Sequence, residues 1–159
     1  MKKFKFAAIF LVLSLVLSLS LAPCALALDD PEVSVGAAML YERNTRQVLF
    51  QQNADAKMYP ASTTKVMTVL LAIEAVEGGA VTMDDQVTAG DTYHQDFEDD
   101  GSTANIVAGE TMTLRDLLYC AMLSSANEAC NIIAQYISGS IEAFVSRMNQ
   151  RAAELGCTG

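Results

Sequence analysis

Two short stretches bring together side chains that could do chemistry. In Tyr59-Pro60-Ala61-Ser62-Thr63-Thr64-Lys65-Val66-Met67, Ser62 and Lys65 lie three residues apart. At the start of a helix that spacing puts both on one face, within reach of each other. An amine beside a hydroxyl in a partly dry site accepts the hydroxyl's proton and makes its oxygen a nucleophile. Ser125-Ala126-Asn127 sets a second hydroxyl two residues from an amide, in a short break between helices. Ser125 with Glu128 three residues on also fits a capping box, and on spacing alone the cap is the stronger reading. The two readings are compatible, because a capped loop holds its other side chains still.

The elements that must position these residues follow from the pattern around them. Pro60 suits a helix start, since its missing N–H costs nothing there, and Gly78-Gly79 suits a helix stop. The helix expected over about 61–77 is apolar on nearly every side (Val66, Met67, Val69, Leu70, Leu71, Ala72, Ile73), which belongs in a domain core. Ser62 then stands at the rim of a buried, rigid element, where a nucleophile is well held. Ser34–Tyr41 and Gln47–Phe50 read as a β-hairpin joined by the polar turn 42–46, with Asn44 suited to a positive φ.

Further on, Val81–Ala108 shows little periodicity. Its acidic run, Asp91 to Asp100, reads as a solvated loop without the spacing of a calcium loop. His94, the single histidine, lies there with no partners at triad or metal spacing and reads as a surface residue. Gly109-Glu110-Thr111 reads as a turn. Thr113 and Asp116 form a capping-box pattern ahead of Leu114, Leu117, Leu118 and Ala121. That helix ends near Leu123. A second runs over about 127–137, with Ala129, Ile132, Ile133 and Tyr136 inward, and a third from Ile141 to about Leu155, closed by Gly156.

Compartment and partners are bounded by the ends of the chain and its charge. Lys2, Lys3 and Lys5 precede an apolar run from Phe6 to Leu21, and Ala25-Leu26-Ala27 fits a small-x-small cleavage site. This predicts a secretory signal peptide over 1–27, cleaved after Ala27, in preference to an uncleaved anchor or a lipoprotein site at Cys24. Removing its three lysines takes the net charge from -9 to -12. With no basic patch, nucleic acid is not an expected partner. Cys120, Cys130 and Cys157 remain, an odd number without zinc-ligand spacing; export leaves room for one disulfide plus a free thiol, with no pair singled out, and the default reading is buried free cysteines; no metal or other cofactor is expected.

Ser-x-x-Lys alone arises by chance about once per few hundred positions. Here it comes with an export signal, a Pro-Ala lead-in and an apolar helix body. Pro60-Ala61-Ser62-Thr63-Thr64-Lys65-Val66-Met67-Thr68, Gly109-Glu110, Asp116-Leu117-Leu118 and Ser125-Ala126-Asn127-Glu128-Ala129-Cys130 follow one another in order. Phe144-Val145, Met148-Asn149 and Ala152-x-x-Leu155-Gly156 extend the series. Together they resemble the penicilloyl-serine transferase superfamily, and within it the serine-type D-alanyl-D-alanine carboxypeptidases, or low-molecular-mass penicillin-binding proteins. Ala126-Asn127, in place of the Asp-Asn of class A β-lactamases, favours that branch.

The resemblance implies an α/β (α+β) fold of β-lactamase/transpeptidase type: an antiparallel sheet with packed helices and a helical subdomain. It implies an acylated nucleophile at Ser62, a general base at Lys65, a proton relay at Ser125, and a substrate-amide contact at Asn127. The Ser62 backbone N–H would supply half of an oxyanion hole. Implied partners are peptidoglycan stem peptides ending in D-Ala-D-Ala, with β-lactams as covalent inhibitors, in an exported, cell-envelope setting.

One departure limits this reading. The family's Lys-Thr-Gly triad does not occur, and the Thr158-Gly159 pair follows a helix instead of lying on a strand. Residues 28–159 are therefore expected to be a partial catalytic domain, lacking later sheet strands and any C-terminal membrane-associating region. Alone it is expected to have little or no activity. The competing readings are a class A-like β-lactamase fragment and a non-catalytic secreted binding module in which Ser62 and Ser125 only cap helices.

Overall fold

The computed structural model describes residues 29–95 and 101–157. The expected signal peptide, the acidic stretch 96–100 and the Thr158-Gly159 pair lie outside the described residues. Among the described residues no helix is long and apolar enough to cross a membrane. The chain divides into two units, at Ala54 and Asp55.

The described part of the first unit is a hairpin. Strand β1 (Ala38–Glu42) pairs antiparallel with β2 (Gln47–Gln52), with a bulge between Leu40 and Tyr41. The Glu42 carboxylate accepts the N–H groups of Asn44, at 3.0 Å, and of Thr45. That side chain closes the turn, so the left-handed residue falls one step before β2. It is Arg46, at φ +58°, and not Asn44. Gln52 and Asn53 tie the lead-in segment down by donating to the carbonyls of Val35 and Gly36.

The second unit is helical with one small sheet. A 3-10 turn, Ala61–Thr64, precedes helix α1 (Lys65–Glu77). The helix expected from Ala61 is thus two pieces, because Ala61 takes φ +46° and Thr63 donates back to the Pro60 carbonyl at 3.1 Å. β3 (Gln86–Thr88) pairs antiparallel with β4 (Thr111–Thr113). Thr111, read as part of a turn, is the first β4 residue; the turn itself uses Gly109 at φ +82°. A second 3-10 turn covers Asp91–His94, where His94 is exposed. Helices α2 (Leu114–Leu123), α3 (Asn127–Ser138) and α4 (Ile141–Glu154) complete the unit.

Its core forms where α3 packs between α2 and α4, with α1 against all three. Leu114 and Leu117 of α2, Ala129 and Ile133 of α3 and Phe144 of α4 are fully buried. Each buried Leu, Ile or Phe contributes about 1.5–3 kcal/mol of transfer free energy. Helix α1 is not enclosed all round within this unit. It buries a stripe of Lys65, Thr68, Leu71, Ala72 and Ala75, while Val66 stays 58 % exposed. Two polar residues lead that stripe, where the helix turns toward α3.

Candidate active site

Ser62 is positioned by the 3-10 turn. In such a turn residues i and i+3 eclipse, so Lys65, the first α1 residue, stands over Ser62. The Lys65 Nζ donates to Ser62 Oγ at 3.1 Å and to Asn127 Oδ1 at 2.8 Å. Ser62 is exposed, whereas Lys65 is only 9 % exposed. The amine thus lies at the inner wall of a site whose hydroxyl faces outward.

The other two side chains come from the break between α2 and α3. Helix α2 ends by accepting the N–H groups of Ser124 and Ala126 on the Cys120 carbonyl, at 3.2 and 3.1 Å. Ser125, between them, is forced to φ +53°. Left-handed backbone is costly for a residue with a Cβ and gathers where surrounding structure fixes a functional geometry. Ala61 and Ser125 both carry it, one on each side of the site. The turn at Ser125 sends its Oγ to Ser62 Oγ, to which it donates at 2.8 Å.

The structure therefore overturns the capping reading of Ser125. The N-cap of α3 is the buried Ala126, without a side-chain cap, and Ser125 points elsewhere. Glu128, the supposed capping-box partner, is fully buried and faces the 103–106 segment instead.

Ser62, Lys65, Ser125 and Asn127 thus form one hydrogen-bonded group. Its arrangement can hold a hydroxyl between a possible proton acceptor and a second hydroxyl. Asn127 stays half-buried, with its Oδ1 on Lys65 and its backbone N–H on the Ser102 carbonyl at 2.9 Å. His94 is not part of this group. Among the described residues no three His, Cys, Asp or Glu side chains converge as metal ligands.

Cys130 lies one turn into α3, in the fields of Lys65 and Glu128. Burial pushes its thiol up to about 11, while Lys65 and a hydrogen bond with Thr68 pull it back. Cys120 is also raised, first by burial and then by Glu128, Asp116 and Glu110. Both are half-buried free thiols. Cys157 is exposed, contrary to expectation, because it follows the Gly156 turn beyond the end of α4.

Sequence reasoning missed the part played by Glu128 and residues 102–106. The available signal was an acid at the second position of a helix otherwise apolar toward the core. It was absorbed by the capping-box pattern.

The model of the D-alanyl-D-alanine carboxypeptidase family matches residues 25–159. The Bacillus subtilis D-alanyl-D-alanine carboxypeptidase DacF is 37 % identical over 147 residues, covering 89 % of this chain and 37 % of the relative. Penicillin binding protein 6B from Escherichia coli superposes with a TM-score of 0.76 at 30 % identity, over 83 % of this chain and 42 % of that one. For penicillin binding protein 5 from Haemophilus influenzae the values are 0.77 and 28 %, over 82 % and 38 %. The mixed α/β fold with antiparallel strand pairs is that of these penicillin-binding proteins. The chain spans little more than a third of the length of the curated relative.

Proposed function

Because the chain belongs to the D-alanyl-D-alanine carboxypeptidase family, we propose that it carries the nucleophile side of a serine hydrolase site for peptidoglycan stem peptides ending in D-Ala-D-Ala. Ser62 Oγ attacks the carbonyl of the penultimate D-Ala while Lys65 Nζ takes its proton. The Ser62 backbone N–H stabilises the developing oxyanion. The proton then passes from Lys65 through Ser125 Oγ to the nitrogen of the leaving D-alanine, and the amide bond breaks. Asn127 holds the peptide amide backbone. Water then hydrolyses the acyl-serine ester, freeing the stem peptide shortened by one D-alanine and restoring the Ser62 hydroxyl. β-Lactams present a strained amide to the same oxygen and leave a penicilloyl ester. Residues 1–27 direct export, so the chemistry takes place in the cell envelope, and residues 28–159 form part of the catalytic domain.

The observation that carries this reading is the contact set around Ser62 Oγ, with Lys65 Nζ at 3.1 Å and Ser125 Oγ at 2.8 Å. Hydroxyl and amine within hydrogen-bond reach, the amine oriented by a third group, is the arrangement of an activated nucleophile.

The test is labelling of the complete gene product with a fluorescent penicillin, followed by mass spectrometry of the adduct. One acyl group on the peptide containing Ser62 is expected, and none in Ser62→Ala. Lys65→Ala should slow acylation about 10²- to 10⁴-fold, the usual worth of a positioned proton acceptor. Persistent labelling of Ser62→Ala would refute the nucleophile assignment. A product that never labels would favour the binding-module reading, and rapid release of the label would favour a β-lactamase.

A further inference from the structure

Glu128 is a charged side chain with 0 % exposure, and it stands next to Asn127 in the chain. Its Oε1 accepts from Thr103 Oγ1 at 2.6 Å, from the Ala104 N–H at 2.6 Å and from the Ile106 N–H at 3.4 Å. Its Oε2 has no hydrogen-bond partner among the described residues. Thr103 Oγ1 accepts in turn from the Asn105 N–H at 2.8 Å, and Asn105 takes φ +62°. So one carboxylate oxygen gathers three donors from a segment without regular structure.

That segment reaches the site at a second point. Ser102 accepts the Asn127 N–H at 2.9 Å. Residues 102–106 and the first turn of α3 are therefore laced together, by backbone at Asn127 and by side chain at Glu128. The same Asn127 accepts from Lys65 Nζ. Burying a carboxylate with one oxygen unpaired is a poor route to stability, since much of what its bonds gain goes to offset the desolvation of the charge. A charge held at such a cost beside a catalytic group points to geometry as its use.

We infer that Glu128 is a positioning residue: it clamps residues 103–106 to the start of α3, and so fixes Asn127, and through it Lys65, relative to Ser62. The inference rests on Ser62 being the acylated residue. Charge-assisted bonds to Oε1 are shorter and stronger than neutral ones, so the clamp is stiff. Loss of the clamp lets the N-terminus of α3 drift without dissolving the core beneath it. A displacement near 1 Å in a reacting constellation costs about a hundredfold in rate.

The experiment uses the complete gene product and a fluorescent penicillin. The acylation rate constant at saturation, the dissociation constant of the initial complex and the thermal midpoint are measured for the parent, Glu128→Leu, Glu128→Gln, Thr103→Val and Thr103→Ser. In Glu128→Leu the rate constant should fall about tenfold to a hundredfold. The dissociation constant should change by less than about threefold, and the midpoint should fall by a few degrees, because the Thr103 hydroxyl and the Ala104 and Ile106 N–H groups lose their acceptor. Glu128→Gln, which keeps an accepting oxygen, should fall between. Thr103→Val should lose part of the rate and Thr103→Ser should restore it. Hydrogen exchange of the Asn127 amide reads the clamp without reference to the chemistry, and it should speed up in Glu128→Leu and Thr103→Val.

Asn127 exchange and acylation unchanged in Glu128→Leu would overturn the inference. If that variant does not fold, Thr103→Val decides: parental values in both measurements overturn it equally. A parent that takes no label refutes the reading of Ser62, and the exchange data alone then decide whether the clamp exists.

Discussion

Ser125 is the residue at which two physical roles separate cleanly. A serine cap satisfies an orphan N–H at a helix start, and its loss costs about 0.5–2 kcal/mol. Here the α3 N-cap is Ala126 and the Ser125 hydroxyl donates to Ser62 Oγ. Ser125→Ala therefore removes no cap. Its thermal midpoint should stay within about 2 °C of the parent, well below the shift that loss of a full cap produces in a unit of this size. On the proposed relay role, penicillin acylation of the complete gene product should fall about 10²-fold or more, the usual worth of a positioned proton-transfer group. Differential scanning calorimetry and stopped-flow acylation on one preparation measure both. A drop of several degrees with unchanged acylation would return Ser125 to a capping role. The Ser62–Lys65 pair was legible in the sequence because an i, i+3 spacing faces one way in either kind of helix. Which kind was not legible, because nothing in Pro60-Ala61-Ser62 announces that Ala61 adopts φ +46°.

Among the elements, those whose signals are local were readable in advance, and those made by distant contacts were not. Helix α2 is the clear case. Thr113 Oγ1 accepts the Asp116 N–H at 3.1 Å, and the Asp116 carboxylate accepts the Thr113 N–H at 3.3 Å. Leu114, Leu117, Leu118 and Ala121, taken as one face from spacing, are the residues the helix buries. Thr113→Ala should cost about 1 kcal/mol. In a unit of roughly a hundred residues that is a fall in midpoint of about 4–8 °C. Asp116→Ala should cost a similar amount, and the double variant less than the sum, since both break one reciprocal pair. Additive losses would mean that the two bonds act independently. By contrast, β3 and β4 have three residues each, too short for alternation to register, and their pairing joins positions 23 to 27 apart. Glu128 was misread for a related reason. Its partners, Thr103 to Ile106, lie more than 20 residues back in a stretch without periodicity, so no local pattern connects them.

At the scale of the whole molecule, the hydrogen-bonded carboxylates and the half-buried Cys130 thiol set opposite edges to its pH range. Burial raises the Glu128 carboxyl, but the bonds from Thr103, Ala104 and Ile106 together outweigh it, and the group ends below its ordinary 4.5. Asp85 is lowered from 3.8, first by the Thr82 side chain and then by the Tyr136 hydroxyl. Glu42, half-buried at the end of β1, is lowered to about 2 by Thr45 and Asn44. A carboxylate with a depressed folded value adds stability that is complete above its unfolded value and is lost as pH falls through the folded one. The midpoint should therefore begin to fall below about pH 4.5 and keep falling toward pH 2. Cys130 acts in reverse. Held at about 11 against an ordinary 9.0, it stays protonated in the fold where the unfolded thiol has ionised. Its stability contribution is complete below pH 9 and is lost as pH rises toward 11. The net charge of -9 at neutral pH adds self-repulsion on that alkaline side. A plot of midpoint against pH should thus show a plateau between about pH 5 and 8.5 with two falling limbs. Cys130→Ala should soften the alkaline limb, and Glu128→Leu should soften the acid limb, while neither moves the other edge. An acid limb of the same slope in Glu128→Leu would mean that the buried carboxylate is protonated in the folded state at neutral pH. The three donors converging on its Oε1 argue against that, because each bond favours the ionised form.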